Sequence, residues 1–530
     1  MGRVDLELRK LIDVNTPIIY IQNYDFWRVD EVIKKAVGQE VVENGMIEEW
    51  SPALGRTDFI TKRAMVDDSR YQSLTDTLSE LYLMQIEQQI HLPDRYLVIK
   101  DACQELQDNK VISYLHLIGQ RRLYDEYFNT TIFIIDSEIV IPKEIEKYVS
   151  IFDIPFPNEK EINKLIDKHA EMNEYKRISP KDREALMPTL RGLFEFEIDR
   201  MLDFALSNNG SLEEKDRDTL LRQKKAIVKR SGSLELVETN ERLEDIGGLE
   251  NLKNYLKKKS VVVSNLGEAE ANGVETPKGI LIVGMPGCGK SLCAKATATQ
   301  FKQPLLKLDM GSMMKSLLGE SEASLRKALK IAEAAAPCVL WIDEIEKGFS
   351  GVDEKNQHND SLMRMYGYFL SWMQEKKSPV YVVATANNVE NLPPELKRKG
   401  RFDEIFCVKL PNDNEMKQII EIHLNKGIRA KCPKADELND IDIKKCKEFY
   451  GFCGADIEAV IKEAIEQCYL DWKDGIADEK DVKTEDGKIK LTWDRIKKVK
   501  EKTHSITDTS GPQIKNMNNI LKEFTDASAG

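Results

Sequence analysis

The sequence predicts an α/β protein of two successive parallel-sheet domains, the second carrying a glycine-rich turn and followed by a small helical lid. Three observations carry this expectation. Short apolar runs alternate with helical patterns along both halves, as parallel strands joined by helices require. A glycine-rich octapeptide, GMPGCGKS at 284–291, stands between one such run and a helical pattern. The order of elements in the first half also recurs in the second.

In the first half, TPIIYIQ (16–22), RYLVIKD (95–101) and NTTIFIID (129–136) read as buried strands, with amphipathic stretches such as FWRVDEVIKKAV between them. This domain is placed at 1–207 and a polar linker with one helix at 208–240. The second α/β unit, 241–411, has strands at GILIVG (279–284), PLLKLDM (304–310), CVLWIDE (338–344) and VYVVATA (380–386). A helical lid is expected over 412–480, with a charged, mobile stretch at 473–490. The tail, 481–530, is expected to hold a helix from Gln513 to Phe524.

The repetition lies downstream of the last strand named in each half. After Asp136 come IPKEIEKYVSIFDIPFPNEKEI and GLFEFEIDRMLDFA; after Ala386 come LPPELKRKGRFDEIFCVKLPNDNEM and GFCGADIEAVIKEA. A proline-glutamate turn, an apolar run, a proline-asparagine turn and a glycine-started helix recur in that order. Duplication explains this, and two unrelated α/β domains with generic patterning are the alternative. The first copy lacks the chemistry: its first strand leads to QNYDFWRV, without glycine or lysine, and its acid-pair position reads IKDACQE.

Composition narrows the partners. The 530 residues carry a net charge of −12, with 41% apolar and 32% charged residues, an ordinary globular balance. Acidity disfavours nonspecific binding to nucleic acid or anionic lipid. The basic runs KNYLKKKS (253–260) and IKKVKEK (496–502) read as solvated helix faces. No apolar run approaches the ~20 residues of a membrane span. The first residues are charged at once, unlike a secretory signal. Nine scattered cysteines with no CxxC pair point to a reducing, cytoplasmic setting, and no HExxH occurs.

The octapeptide fits G-x-x-x-x-G-K-[ST]. Its glycines let backbone N–H groups wrap phosphate oxygens, and the helix beginning near Lys290 aims its positive end at the same charge. Lys290 suits the β and γ phosphates of ATP, and the Ser291 hydroxyl suits Mg²⁺. Two acids end CVLWIDE: Asp343 to hold Mg²⁺ through its water shell, Glu344 to polarise the attacking water. Glu344 argues for hydrolysis beyond binding. Asn387, just past a buried strand, can reach the γ phosphate or the lytic water. Arg398 and Arg401, in LKRKGRFDE, suit fingers acting on a neighbouring subunit's γ phosphate, which requires an oligomer.

GMPGCGKS, WIDEIE, ATANN, LPPELKRKGRFD and GFCGADIEAV, in this order, resemble the AAA ATPase module over roughly 243–472. On that resemblance the fold is a P-loop AAA+ module preceded by a degenerate AAA-like α/β domain, and the cofactors are ATP and Mg²⁺. LEDIGGLENLK (243–253) resembles the segment that touches the adenine base. The resemblance implies that Asp245, Ile246 and Gly247 contact adenine from one side and Gly454 and Ala455 from the other. It implies that Gly284, Met285, Pro286, Gly287, Cys288, Gly289, Lys290, Ser291 and Leu292 hold the nucleotide. Catalysis falls to Lys290, Glu344 and Asn387, with Arg398 and Arg401 as trans-acting fingers. Lys399 stands where that family usually has proline, which alters the finger loop and removes neither arginine. Leu317, in MMKSLLGESE, occupies the pore-loop position where an aromatic residue usually grips polypeptide.

APCVLWIDEIEKGFSG, GESEASLRKAL and the N-terminal half further resemble the uncharacterised AAA proteins of algal plastid genomes and cyanobacteria, which adds the plastid stroma as a location. The resemblance implies ATP hydrolysis in a homo-oligomeric ring, a hexamer, that remodels a protein or protein complex. An ATP-gated scaffold that threads nothing is the alternative, and a nucleic-acid motor a more distant one.

Overall fold

The computed structural model describes residues 3–23, 25–64, 73–87, 93–136, 139–172, 178–209, 212–230, 234–313, 320–349, 360–390, 392–398, 400–476, 482–485, 487–505 and 524–528. The chain divides into two compact units, Met1–His169 with Leu193–Asp203, and Ala170–Gly192 with Phe204–Gly530.

The first unit is built on β1 (Ile18–Gln22), β2 (Ile47–Ser51), β3 (Gly55–Asp58), β4 (Arg95–Lys100), β5 (Thr130–Asp136) and β6 (Val149–Phe152). Among the described residues they form one sheet in the order β3-β2-β4-β5-β1-β6. Its pairings are parallel except for the β2–β3 edge. Alternate residues of each strand enter different cores. Ile18, Tyr20, Leu97, Ile99, Ile132 and Ile134 pack with Leu78, Leu115 and Ile118 of helices on one face. Ile19, Ile21, Val98, Phe133 and Ile135 pack with Leu8, Val29 and Ile33 on the other. This is why the strands read as unbroken apolar runs: both faces are covered.

The second unit uses β7 (Leu234–Val237), β8 (Gly279–Gly284), β9 (Leu305–Leu308), β10 (Cys338–Ile342), β11 (Val380–Ala386), β12 (Glu404–Val408) and β13 (Thr525–Asp526). Their order is β13-β12-β8-β11-β10-β9-β7. Counted from the first parallel strand of each unit, both sheets run fifth, first, fourth, third, second, and each ends in an antiparallel edge strand.

Several boundaries differ from the sequence expectation. The stretch 208–240 holds the expected helix, Arg217–Arg230, and also supplies β7, paired to β9. That helix is packed: Lys224 is 1% exposed and donates to the Pro188 and Arg191 carbonyls at 2.8 and 2.7 Å. PLLKLDM is strand only to Leu308, because a short helix opens at Met310. CVLWIDE is strand only to Ile342, which leaves both acids on the turn beyond it.

The stretch expected as a lid packs helices Asp413–Asn425, Gly454–Asp474 and Trp493–Lys500 around Ile420, Phe449, Ile457, Ile461, Leu491 and Ile496, so its core draws on residues past 480. Ile489, in the stretch expected to be mobile, is 4% exposed in that core. In the basic run 496–502, Lys497 and Lys498 do face solvent, while Ile496 and Val499 are buried. Leu317, Lys399 and residues 513–523 of the expected last helix lie outside the described residues. No helix among the described residues is long and apolar enough to cross a membrane.

Candidate active site

Strand β8 is buried along its whole length because β11 and β12 pair with it on either side. Its end delivers Met285–Gly289 to the carboxyl edge of the sheet, where open α/β folds bind ligands. Gly287 sits at φ +75°, and a Cβ there would lie 2.5 Å from the Cys453 sulfur. A side chain would both strain this loop and fill its cradle. Helix Lys290–Phe301 comes directly after, so its unpaired first-turn N–H groups point into the loop. Lys290 is 7% exposed, and its ammonium donates to the Gly284 and Met285 carbonyls at 2.9 and 2.7 Å. Burial holds its pKa below the usual lysine value, opposed by nearby acids including Glu346, Asp343 and Glu344.

The acids reach the loop from the next strands. Ile342 pairs with Ala384 in the β10–β11 register, so Asp343 emerges beside Thr385. Thr385 donates to Asp343 Oδ1 at 2.6 Å and accepts from the Glu344 N–H at 3.1 Å. Ser291 Oγ donates to the same Asp343 oxygen at 3.3 Å. Glu344 takes φ +51°, a left-handed turn that swings its carboxylate off the strand axis. There it accepts from Asn387 Nδ2 at 2.7 Å and pairs with Lys347 at 2.5 Å. The sequence suggested that Asn387 reaches a phosphate or water; its amide is bonded to Glu344, a charged acceptor within reach. The Asn387 N–H donates to Glu346 Oε1 at 2.9 Å, which fixes the residue after the strand.

Beside the loop lies a cavity of about 240 Å³. Asp245, Ile246 and Gly247 line it together with Gly454, Ala455 and the loop residues Gly287, Cys288, Gly289 and Leu292. Residues 245–249 are strapped to the lid: Gly248 N–H donates to Gln418 at 2.8 Å and Leu249 N–H to Glu415 at 3.1 Å. The Ala455 N–H donates to the Gly287 carbonyl at 3.0 Å, tying the lid helix to the loop. His423 also lines the cavity, with its pKa brought down to about 4 by burial and by Arg429, Lys426 and Lys462, against the pull of Glu458.

The donor set fits a nucleoside triphosphate. A buried cation and helix N–H groups suit phosphate, a partly open, mainly apolar cavity suits a base, and a hydroxyl 3.3 Å from a carboxylate suits a hard cation. Pro286 is exposed, and Met285 is buried with its N–H on the Val408 carbonyl at 3.4 Å. The arginines stand apart from this set. Arg398 is exposed at the end of the turn Pro394–Lys397, and Arg401 donates to the Glu395 carbonyl. Sequence reasoning missed Thr385, Glu346, Lys347 and His423. Thr385 left one signal, the single aliphatic hydroxyl in VYVVATA.

Comparison with known proteins places the chain in a family. Residues 280–410 match the model of the ATPase family associated with various cellular activities (AAA). Residues 4–154 and 160–231 match the N-terminal and second domains of SpoVK-like AAA ATPases. The uncharacterized AAA domain-containing protein ycf46 of Guillardia theta is 35% identical over 462 residues, covering 87% of this chain and 86% of that protein. Its counterpart in Trieres chinensis is 35% identical over 465 residues, covering 87% and 88%. A cell division cycle protein 48 homolog of Archaeoglobus fulgidus is 33% identical over 225 residues, covering 42% of this chain and 29% of that protein.

Proposed function

Since the chain belongs to the AAA ATPase family, alongside the ycf46 proteins, we propose that its second unit hydrolyses ATP in a homo-oligomeric ring that remodels a protein or protein complex. One observation carries the hydrolytic reading. The Glu344 carboxylate is held by Asn387 at 2.7 Å, beside an Asp343–Ser291 pair and the buried Lys290. A binding-only site needs no such acid, because a carboxylate near phosphate costs affinity unless it handles a proton.

In this reading the loop N–H groups and Lys290 neutralise the phosphates. Ser291 and Asp343 would hold Mg²⁺, which would supply charge screening at the phosphates. Glu344 positions and polarises the attacking water, and Asn387 keeps that carboxylate in register. Asp245–Gly247 and Gly454–Ala455 enclose the base. Arg398 and Arg401, on a loop away from their own site, act on the neighbour's γ phosphate, so the complete site needs a ring, which we take as a hexamer. The first unit repeats the sheet order without this loop, and we read it as a degenerate copy. We place the protein in the cytoplasm, or in the stroma where it is plastid-encoded.

Phosphate release with Mg-ATP tests the proposal. Glu344→Gln should bind ATP and release almost no phosphate; normal release would refute the assignment of Glu344. Arg398→Ala should bind ATP and lose turnover, and full turnover in a clean monomer would sink the ring. Proteins trapped on the Glu344→Gln variant with ATP would identify the substrate.

A further inference from the structure

We propose that Cys288 and Cys453 form an oxidisable dithiol, in which a peroxide closes a disulfide between the phosphate loop and the lid helix and thereby stops nucleotide turnover. Two features of the backbone bring the thiols together. The Ala455 N–H is bonded to the Gly287 carbonyl at 3.0 Å. The Cys453 sulfur packs against the Gly287 α-carbon, 2.5 Å from where a Cβ would stand. Cys288 is the next residue along, and its thiol is near enough to that sulfur for each to shift the other's pKa.

The two cysteines differ in chemical role. Cys453 is 2% exposed and caps the N-terminus of the 21-residue helix Gly454–Asp474. The neighbouring Cys288 thiol draws the Cys453 pKa down, and a helix N-terminus favours a thiolate in the same sense. The same proximity, together with burial, pushes the Cys288 thiol up. Cys288 lines the nucleotide cavity, which gives a small oxidant a path to both.

The chemistry balances with hydrogen peroxide as the two-electron oxidant. The Cys453 thiolate attacks one peroxide oxygen, the O–O bond breaks, and hydroxide leaves to become water. The Cys288 sulfur then attacks the Cys453 sulfenic sulfur: the S–S bond forms, the S–O bond breaks, and a second water leaves with the Cys288 proton. The product spans about 2.05 Å between sulfurs, well inside hydrogen-bond range, so it draws residues 287–288 onto residue 453. Loop N–H groups shift from their phosphate-binding positions, and the lid is stapled to the large subdomain. Because lid motion and loop geometry both serve turnover, the oxidised form should be inactive.

The test uses the full chain treated with hydrogen peroxide, thiol-blocked, digested and analysed by mass spectrometry, with turnover measured in parallel. The expected results are a Cys288–Cys453 linked peptide and a roughly tenfold or greater loss of turnover, both reversed by dithiothreitol. Cys453→Ser keeps a capping hydroxyl, so it should turn over ATP normally and resist the oxidant. Absence of the linked peptide, equal inactivation of Cys453→Ser, or full turnover in linked protein would each overturn the proposal. Only the activity arm rests on the ATPase reading. If the reduced protein has no turnover, that reading fails, while the linked peptide still judges the dithiol.

Discussion

The two units share a sheet and differ in what each places at the end of its first strand. Both run fifth, first, fourth, third, second with an antiparallel edge strand. Both turn the third strand off its axis through a non-glycine residue in the left-handed region, Asp101 at φ +53° and Glu344 at φ +51°. After β8 come a glycine loop and Lys290, which suit an external anion. After β1 the chain supplies its own anion. Asp25 caps helix Phe26–Val37 by accepting from the Arg28 N–H at 3.2 Å, and it also accepts from the Phe196 N–H at 3.4 Å. The Arg28 guanidinium is matched by Glu195 at 2.8 Å. Lys100, at the end of β4, is balanced by Asp30 and Glu49 at 2.9 and 2.8 Å. The same sheet order thus carries, in the first unit, a helix N-terminus and buried cations whose partners lie within the chain.

The largest test of this contrast exchanges the two left-handed acids. Glu344→Gln should lower turnover by about 10²–10⁴-fold, the range of a lost general base. Asp101→Asn, at the matching place in the first unit, should leave turnover within about twofold. Steady-state phosphate release compares them directly. A large loss from Asp101→Asn would mean that the first unit takes part in the chemistry.

The legibility of each feature in the sequence depends on how local it is. The loop, the acid pair and Asn387 were singled out because phosphate chemistry restricts residue types at fixed spacing within short segments, and the structure sets Asn387 against Glu344. The repeated order of elements was readable too, and the two sheets have matching strand orders. Thr385 was not, because its role exists only through the β10–β11 register, which sets it beside Asp343. Strand β7 hid in a polar stretch, since an antiparallel edge strand of four residues needs only Leu234 and Leu236 facing inward. Strand β13 is shorter still. It is held by Ala527, fully buried, whose N–H bonds to the Cys407 carbonyl at 3.0 Å, and by a Lys409–Asp526 pair. Two residues carry no periodicity to read.

Next in size is the response to nucleotide. ATP at 100 times its dissociation constant should stabilise the second unit by about 2.7 kcal/mol. Hydrogen exchange should slow in 279–301 and in the lid helices, while β1–β6 exchange unchanged. Lys290→Met should abolish that protection. Protection of β1 or β5 by ATP would break the contrast between a responsive unit and a self-satisfied one.

A smaller effect separates capping from binding. Asp25→Ala removes the cap of Phe26–Val37 and should cost the first unit about 0.5–2 kcal/mol. The loss is read as a lower urea midpoint for that unit, with ATP turnover intact. An unchanged midpoint would mean that Asp25 is not the anion this helix depends on.

The last comparison is a difference in sign with pH. In the first unit, His169 is hydrogen-bonded to Asp199 at 2.8 Å, which raises its pKa above 6.5 against the opposing effect of burial, with Asp203 adding to the rise. Its contribution to stability is therefore full below pH 6.5 and is lost as pH rises through the raised value. In the lid, burial brings His423 down to about 4. Its contribution is full above pH 6.5 and is lost as pH falls from there towards 4, because the unfolded chain takes up the proton first. Corrected hydrogen-exchange opening energies should therefore fall with rising pH in helix Glu159–Met172 and fall with declining pH in helix Asp413–Asn425. His169→Gln should flatten the first slope alone, and His423→Gln the second alone. Slopes of the same sign in both helices, surviving both substitutions, would show that the histidines do not set the pH response of either unit.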